Sequence, residues 1–314
     1  MDIHFKIMLP HLRWFSLGLL LLASPMGLSQ ETGEETNAEN PDSLVLDRIR
    51  REREVMDSRS VLLPHRRNYV LPLTWASQPN NAPLQGINNG ADEVLDQLEA
   101  QFQLSLKVPL TEGLFSSADA LYASFTVRAF WQAYNSDISS PFRETNYEPE
   151  LFWMMPVPWK ILGGDASLFA LGLSHQSNGR SQSLSRSWNR IYANLIWERN
   201  RFVFSFKPWW RIPEDEKTDP LQPDGDDNPD IEDFMGNFEF TTVYRNQNQE
   251  FSLMLRNNLD RDDNKGAVQL DWTFPLSGRL RGYAQIFSGY GESLIDYNAR
   301  IERIGIGILL SDLL

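Results

Sequence analysis

The sequence predicts an all-β fold, a transmembrane antiparallel β-barrel of about twelve strands with a polar, packed interior. Three observations predict it. From Tyr69 onward, apolar and polar residues alternate with a period of two, in segments near the ~10 residues that cross a membrane as a tilted strand. Short polar connections alternate with long ones along the same stretch. No run after the first thirty residues reaches the roughly 20 apolar residues a spanning helix needs.

Composition narrows the classes. The 314 residues carry a net charge of −13, which argues against nucleic acid as a partner. There is no cysteine, so a disulfide framework and a thiolate metal site are excluded. The 10 Trp, 9 Tyr and 18 Phe suit a barrel with aromatic residues near its strand ends. A soluble two-domain enzyme or a β-sandwich could share this composition. A sandwich, however, would usually turn every 8–12 residues or so.

Residues 1–29 read as a secretory signal peptide. Lys6, His11 and Arg13 precede the apolar run Trp14–Ala23, and Gly27 and Ser29 stand at the small-residue positions of a cleavage site. Gln30 would then be the first mature residue of an exported protein. Residues 30–66 are rich in Glu, Asp and Arg and read as a disordered periplasmic tail, with Leu44–Val55 able to form a short helix. Residues 67–314 form the predicted barrel. Its clearest strands run through Phe102–Val108, Phe202–Lys207, Phe251–Arg256, Val268–Phe274 and Ile304–Leu310. Glu198–Arg201, Arg245–Glu250 and Pro275–Arg279 are the short connections. Asn135–Asn146, Arg211–Asp233, Asn257–Gly266 and Ser288–Arg300 are long, and they belong to the external rim if the N-terminus is periplasmic.

One pair of strands carries the candidate chemistry. In Leu168–Glu198, Phe169, Leu171 and Leu173 share a parity that continues into His175 and Ser177. After a Gly-containing turn, Asn189 shares a parity with Ile191, Ala193, Leu195 and Trp197. Polar groups at the ends of two apolar stripes are costly without a purpose. The purpose inferred is a nucleophilic site that opens into lipid. On one strand face, the Cβ atoms of His175 and Ser177 lie roughly 6–7 Å apart, within reach of an imidazole–hydroxyl contact. Ser177 as nucleophile needs a base, and His175 is the only histidine in the predicted barrel. Asn189 can accept a hydrogen bond from the second ring nitrogen and set the tautomer. An H-x-S pattern also suits a solvated strand end, and spacing leaves both readings open.

The stretch His175–Ser187 (HQSNGRSQSLSRS), followed by Trp188-Asn189-Arg190, resembles the active-site signature of the outer-membrane phospholipase A family. Ser139–Pro149 (SSPFRETNYEP), Asp227–Ile231 (DNPDI) with Met235-Gly236, and Ser288–Asn298 (SGYGESLIDYN) resemble it too, in the family's order, from about residue 69 to the C-terminus. The resemblance implies a twelve-stranded barrel of the bacterial outer membrane. It implies a calcium-dependent acyl hydrolase of phospholipids and lysophospholipids, active as a homodimer, with its site at the external leaflet. Within it, Ser177 is the nucleophile, His175 the general base and acid, Asn189 the orienting residue, and the Gly179 N–H part of the oxyanion hole. The implied calcium ligands are the Ser185 hydroxyl, the Arg180 carbonyl and the Ser139 carbonyl of the other subunit, so that calcium is shared at the dimer interface. Two positions depart from the pattern. Gln182 stands where an acidic residue is expected, and the chain ends in Leu313-Leu314 rather than an aromatic residue. The competing reading is a non-enzymatic outer-membrane barrel, a pore or a structural protein, which would have no use for Ser177.

Overall fold

The computed structural model describes residues 43–56, 61–85, 94–219, 222, 225–278 and 280–313. The expected signal peptide, residues 1–29, lies outside the described residues. Twelve long strands follow one another: β1 Asn68–Ala76, β2 Leu98–Glu112, β3 Ala120–Trp131, β4 Phe142–Pro156, β5 Gly164–Ser177, β6 Ser187–Arg199, β7 Phe202–Ile212, β8 Phe238–Asn246, β9 Gln249–Asn257, β10 Gly266–Ser277, β11 Leu280–Gly289 and β12 Ile301–Ser311. Each pairs antiparallel with the next, and β12 pairs with β1, so the sheet closes. Closure removes both sheet edges, which a bilayer could not satisfy with hydrogen bonds. Two further pieces, Leu63–Pro64 and Lys160–Ile161, pair with β2 and β5.

The alternation read from the sequence becomes two walls. Outward residues such as Leu104, Leu106, Phe125, Leu171, Leu173, Leu270 and Ile304 are exposed, as lipid-facing side chains must be in a chain taken alone. Aromatic pairs mark both ends of this wall: Trp131 stacks on Phe142 at 5.3 Å near the long loops, and Phe115 meets Trp153 edge-on at 5.4 Å near the short turns. The shortest turns use backbone geometry suited to tight hairpins. Asn200 and Gln247 take positive φ values of 57° and 53°.

Many inward residues are polar, buried and paired. Arg66 binds Glu148 at 2.7 Å and Glu150 at 2.8 Å, and Arg67 binds Glu250 at 2.6 Å and Asp271 at 2.8 Å. Near the other end, Arg143 and Arg303 share Glu99 at 3.1 and 2.8 Å. Arg143 also reaches Asp296 at 2.5 Å, and Arg303 reaches Glu292 at 2.7 Å. Charges removed from water are tolerated only in such mutual company. Glu292 and Asp296 belong to the connection between β11 and β12. This loop folds into the lumen, where the Leu294 N–H donates to Asn146 Oδ1 at 3.0 Å.

Two expectations need correcting. The expected disordered tail, as far as it is described, is ordered against the barrel. Leu44–Met56 is a helix, α1, at the short-turn end. Its Val45 packs with Leu168, Val203 and Val243, and the Val45 N–H donates to Glu198 Oε1 at 2.5 Å. Its Glu52 binds Lys107 at 2.8 Å, and Arg48 donates to the Leu313 and Pro64 carbonyls. The physical reason is compensation: inward charges of the barrel wall and charges of the segment neutralise one another, which composition read along the chain cannot reveal. Second, the long connection expected over Asn135–Asn146 closes sooner, because Phe142–Asn146 already belong to β4.

Candidate active site

The site forms where β5 and β6 leave the barrel wall at the long-loop end. Register makes His175 the cross-strand partner of Asn189, and Ser177 the partner of Ser187 on one side and Tyr147 on the other. Leu171 and Leu173, each 49% exposed, continue the His175 face towards the bilayer. His175 Nδ1 lies 2.8 Å from Asn189 Oδ1. An amide oxygen only accepts, so Nδ1 carries the proton and Nε2 is the basic nitrogen. Ser177, two residues on and on the same face, lines one pocket with His175, Gly179, Arg180, Ser185, Ser187, Glu214 and Asp227.

Within the connection 178–186, the Asn178 side chain bridges three backbone groups. Asn178 Oδ1 accepts from the N–H groups of Arg180 (3.2 Å) and Arg186 (3.0 Å), while Nδ2 donates to the Leu184 carbonyl at 2.8 Å. Gly179 has φ +63°, and a Cβ there would fall 3.2 Å from the Tyr147 ring. Glycine is therefore favoured two residues after the candidate nucleophile on both conformation and space. The Arg180 guanidinium donates to the Phe142 and Arg143 carbonyls and pairs with Glu144 at 3.3 Å.

Ser185 Oγ donates to Asp227 Oδ2 at 2.6 Å, and Ser187 Oγ reaches the same oxygen at 3.4 Å. Asp227 also pairs with Lys217. Ser139 does not line this pocket; it sits in the loop 132–141 at φ 62°. Gln182 is exposed at φ 57° and does not line it either. Among the described residues, no group of three or more His, Asp or Glu side chains is gathered as a metal cage. Two side chains that line the pocket nonetheless carry oxygens of the kind calcium takes, the Ser185 hydroxyl and the Asp227 carboxylate, and Arg180 lines it as well.

Both acidic residues of the pocket were missed by sequence reasoning. Asp227 opens the DNPDI motif, but nothing local separated it from its acidic neighbours. Glu214 had no signal beyond its place in an acidic loop. Its Oε1 accepts from Asn189 Nδ2 at 2.9 Å.

Fold and site together define a class, a closed membrane-spanning antiparallel barrel with a Ser, His and Asn cluster on its lipid-facing wall. Comparison with known proteins carries this further. The Phospholipase A1 family profile matches residues 45–310. Phospholipase A1 of Klebsiella pneumoniae is 37% identical, covering 82% of this chain and 85% of that one. Outer membrane phospholipase A from Escherichia coli superposes with a TM-score of 0.73 at 36% identity, covering 81% of this chain and 100% of that one. It has also been solved as an asparagine-to-alanine active-site mutant. The Salmonella typhi outer membrane phospholipase, described as a dimer with bound calcium, has a TM-score of 0.74 at 35% identity, covering 83% of this chain and 97% of that one. The chain belongs to the phospholipase A1 family, and it is a β-barrel of the bacterial outer membrane.

Proposed function

We propose that this protein is a calcium-dependent serine acyl hydrolase that cleaves the acyl esters of phospholipids and lysophospholipids from the external leaflet. The observation that carries the reading is the 2.8 Å contact between His175 Nδ1 and Asn189 Oδ1 on the lipid-facing wall, with Ser177 beside it. His175 Nε2 takes the Ser177 proton as Oγ attacks the ester carbonyl. The resulting imidazolium returns the proton to the leaving alcohol, and an acyl-enzyme remains on Ser177. Water then attacks with His175 again as base, releasing the fatty acid. The Gly179 N–H stabilises the developing oxyanion. The active-site asparagine mutant of the E. coli enzyme supports the role given to Asn189.

Ser185, the Arg180 carbonyl and Asp227 would hold calcium, with the Ser139 carbonyl of a second copy completing the set. Bound there, the ion supplies positive charge near the oxyanion. The Salmonella relative, described as a dimer with bound calcium, supports a calcium-binding dimer; in this reading the shared site makes dimerisation the activating step. Dimerisation would also deepen the apolar groove along Leu171 and Leu173 in which an acyl chain can lie. The ion-paired lumen offers little to the pore reading.

The test is fatty-acid release from phospholipid by purified protein, with calcium and with chelator, for wild type and Ser177→Ala. Release that needs both calcium and Ser177 is expected. No release from folded wild type in calcium sinks the hydrolase reading. Release that survives chelation sinks the calcium part.

A further inference from the structure

We propose that Glu214 is a positioning residue for this reaction, one that holds the Asn189 amide with its oxygen towards His175. The inference rests on the roles given above to Ser177, His175 and Asn189. An amide has two ends of nearly the same shape and opposite hydrogen-bonding sense. Turned round, Asn189 would offer Nδ2 to His175, and Nδ1 would have to accept. The imidazole proton would then sit on Nε2, the atom that must be basic to receive the Ser177 proton. Nothing within Asn189 decides between the two ends.

Glu214 decides. Its carboxylate only accepts, and Oε1 takes the Asn189 Nδ2–H at 2.9 Å, which leaves Oδ1 for His175 Nδ1 at 2.8 Å. Carboxylate, amide and imidazole form a chain in which each hydrogen bond polarises the next. In a Ser-His-Asp triad the negative charge touches the imidazole directly; here it stands one amide further away and reaches the ring through Asn189.

The placement is built into the fold. Asn189 is the cross-strand partner of Ile212, the last residue of β7, so His175, Asn189 and Ile212 form a row across three strands. Pro213 extends the chain with a restricted backbone, and Glu214 is the next residue of the same parity. Beyond it the loop is tied down. Arg211 binds Asp226 at 2.5 Å, the Asp226 N–H donates to the Asp215 carbonyl at 2.8 Å, and Glu216 bridges to Asp226. Gly225, at φ +101°, allows this approach, since a Cβ there would fall 2.9 Å from the Asp215 carbonyl. Glu214 is half-buried and lines the pocket with His175 and Ser177.

The test compares wild type, Glu214→Ala, Glu214→Gln, Asn189→Ala, the Glu214→Ala/Asn189→Ala double variant and Ser177→Ala. Fatty-acid release from mixed micelles is read at a series of calcium concentrations. Glu214→Ala is expected to lower kcat about tenfold, the effect of losing a hydrogen bond to a charged group, with KM and half-saturating calcium unchanged. Glu214→Gln still offers an acceptor but no charge, so it recovers part of the loss. In the double variant, Glu214→Ala adds nothing to Asn189→Ala, because both act through one contact. Wild-type kcat in Glu214→Ala overturns the proposal, and so does a loss that adds independently to that of Asn189→Ala. Recovery at high calcium also overturns it, assigning Glu214 to the metal instead. Release that survives in Ser177→Ala removes the triad reading and this inference with it. An inactive Ser177→Ala beside a wild-type Glu214→Ala removes this inference alone.

Discussion

Ser174 and Ser177 stand three residues apart on one strand and face different worlds. Ser174 is buried in the lumen, donating to Glu148 at 2.9 Å and accepting from Arg190 at 3.3 Å. Ser177 opens to the outer wall beside His175. Inside, polar groups are numerous, and the ion pairs neutralise one another across the barrel. Outside, the long stripes are apolar, and His175, Ser177 and Asn189 gather where β5 and β6 reach the loops. Polarity in the lumen is matched by mutual pairing, whereas polarity on the wall is gathered in one cluster at the loop end. A polar side chain facing lipid persists only where it has work there.

The largest expected effect tests the outer wall. Ser177→Ala lowers fatty-acid release by at least about 10³-fold, while the barrel's thermal midpoint by circular dichroism stays at the wild-type value. A fall in that midpoint would mean that Ser177 belongs to the structure. Next comes the lumen. Arg143→Leu leaves Glu99 and Asp296 short of a buried cationic partner and costs about 3–5 kcal/mol in denaturant unfolding. Its kcat, measured where the variant is fully folded, should remain near wild type, and a selective loss of kcat would break the division between lumen and wall.

Glu52→Gln has a smaller effect, about 1–3 kcal/mol, by leaving Lys107 at the short-turn end without its carboxylate. Burial pushes the Glu52 carboxyl up, but Lys107 and Arg48 outweigh burial and hold it below its ordinary value. A lowered folded-state value means that the stabilisation is present above the ordinary carboxylate range and is lost as pH falls through the folded value. Wild type should therefore lose its advantage over Glu52→Gln on acidification. An advantage that grew on acidification would refute the pairing. The smallest effect is that of Ser174→Ala, about 1 kcal/mol in stability with kcat unchanged. The contrast with Ser177→Ala on the same strand is the sharpest form of the comparison.

The sequence by itself determined the strands, their faces and the ends of the stripes. Alternation is local, because successive Cβ atoms of a strand point to opposite sides wherever the strand lies. It was enough to count about twelve segments and to set His175, Ser177 and Asn189 on one wall, at matching heights on neighbouring strands. The tertiary structure decided which charges meet. Arg143 and Asp296 are separated by 153 positions and become partners only when β12 closes on β1. The same holds for α1, whose Glu52 looked solvated along the chain and is paired with Lys107 of the barrel wall, while Glu198 accepts from the Val45 N–H at the helix start. Glu214 and Asp227 reach the site on a loop whose course follows from contacts of Arg211, Lys217 and Gly225 rather than from any period. A period states which way a side chain faces. Only closure of the sheet and folding of its loops state what it faces.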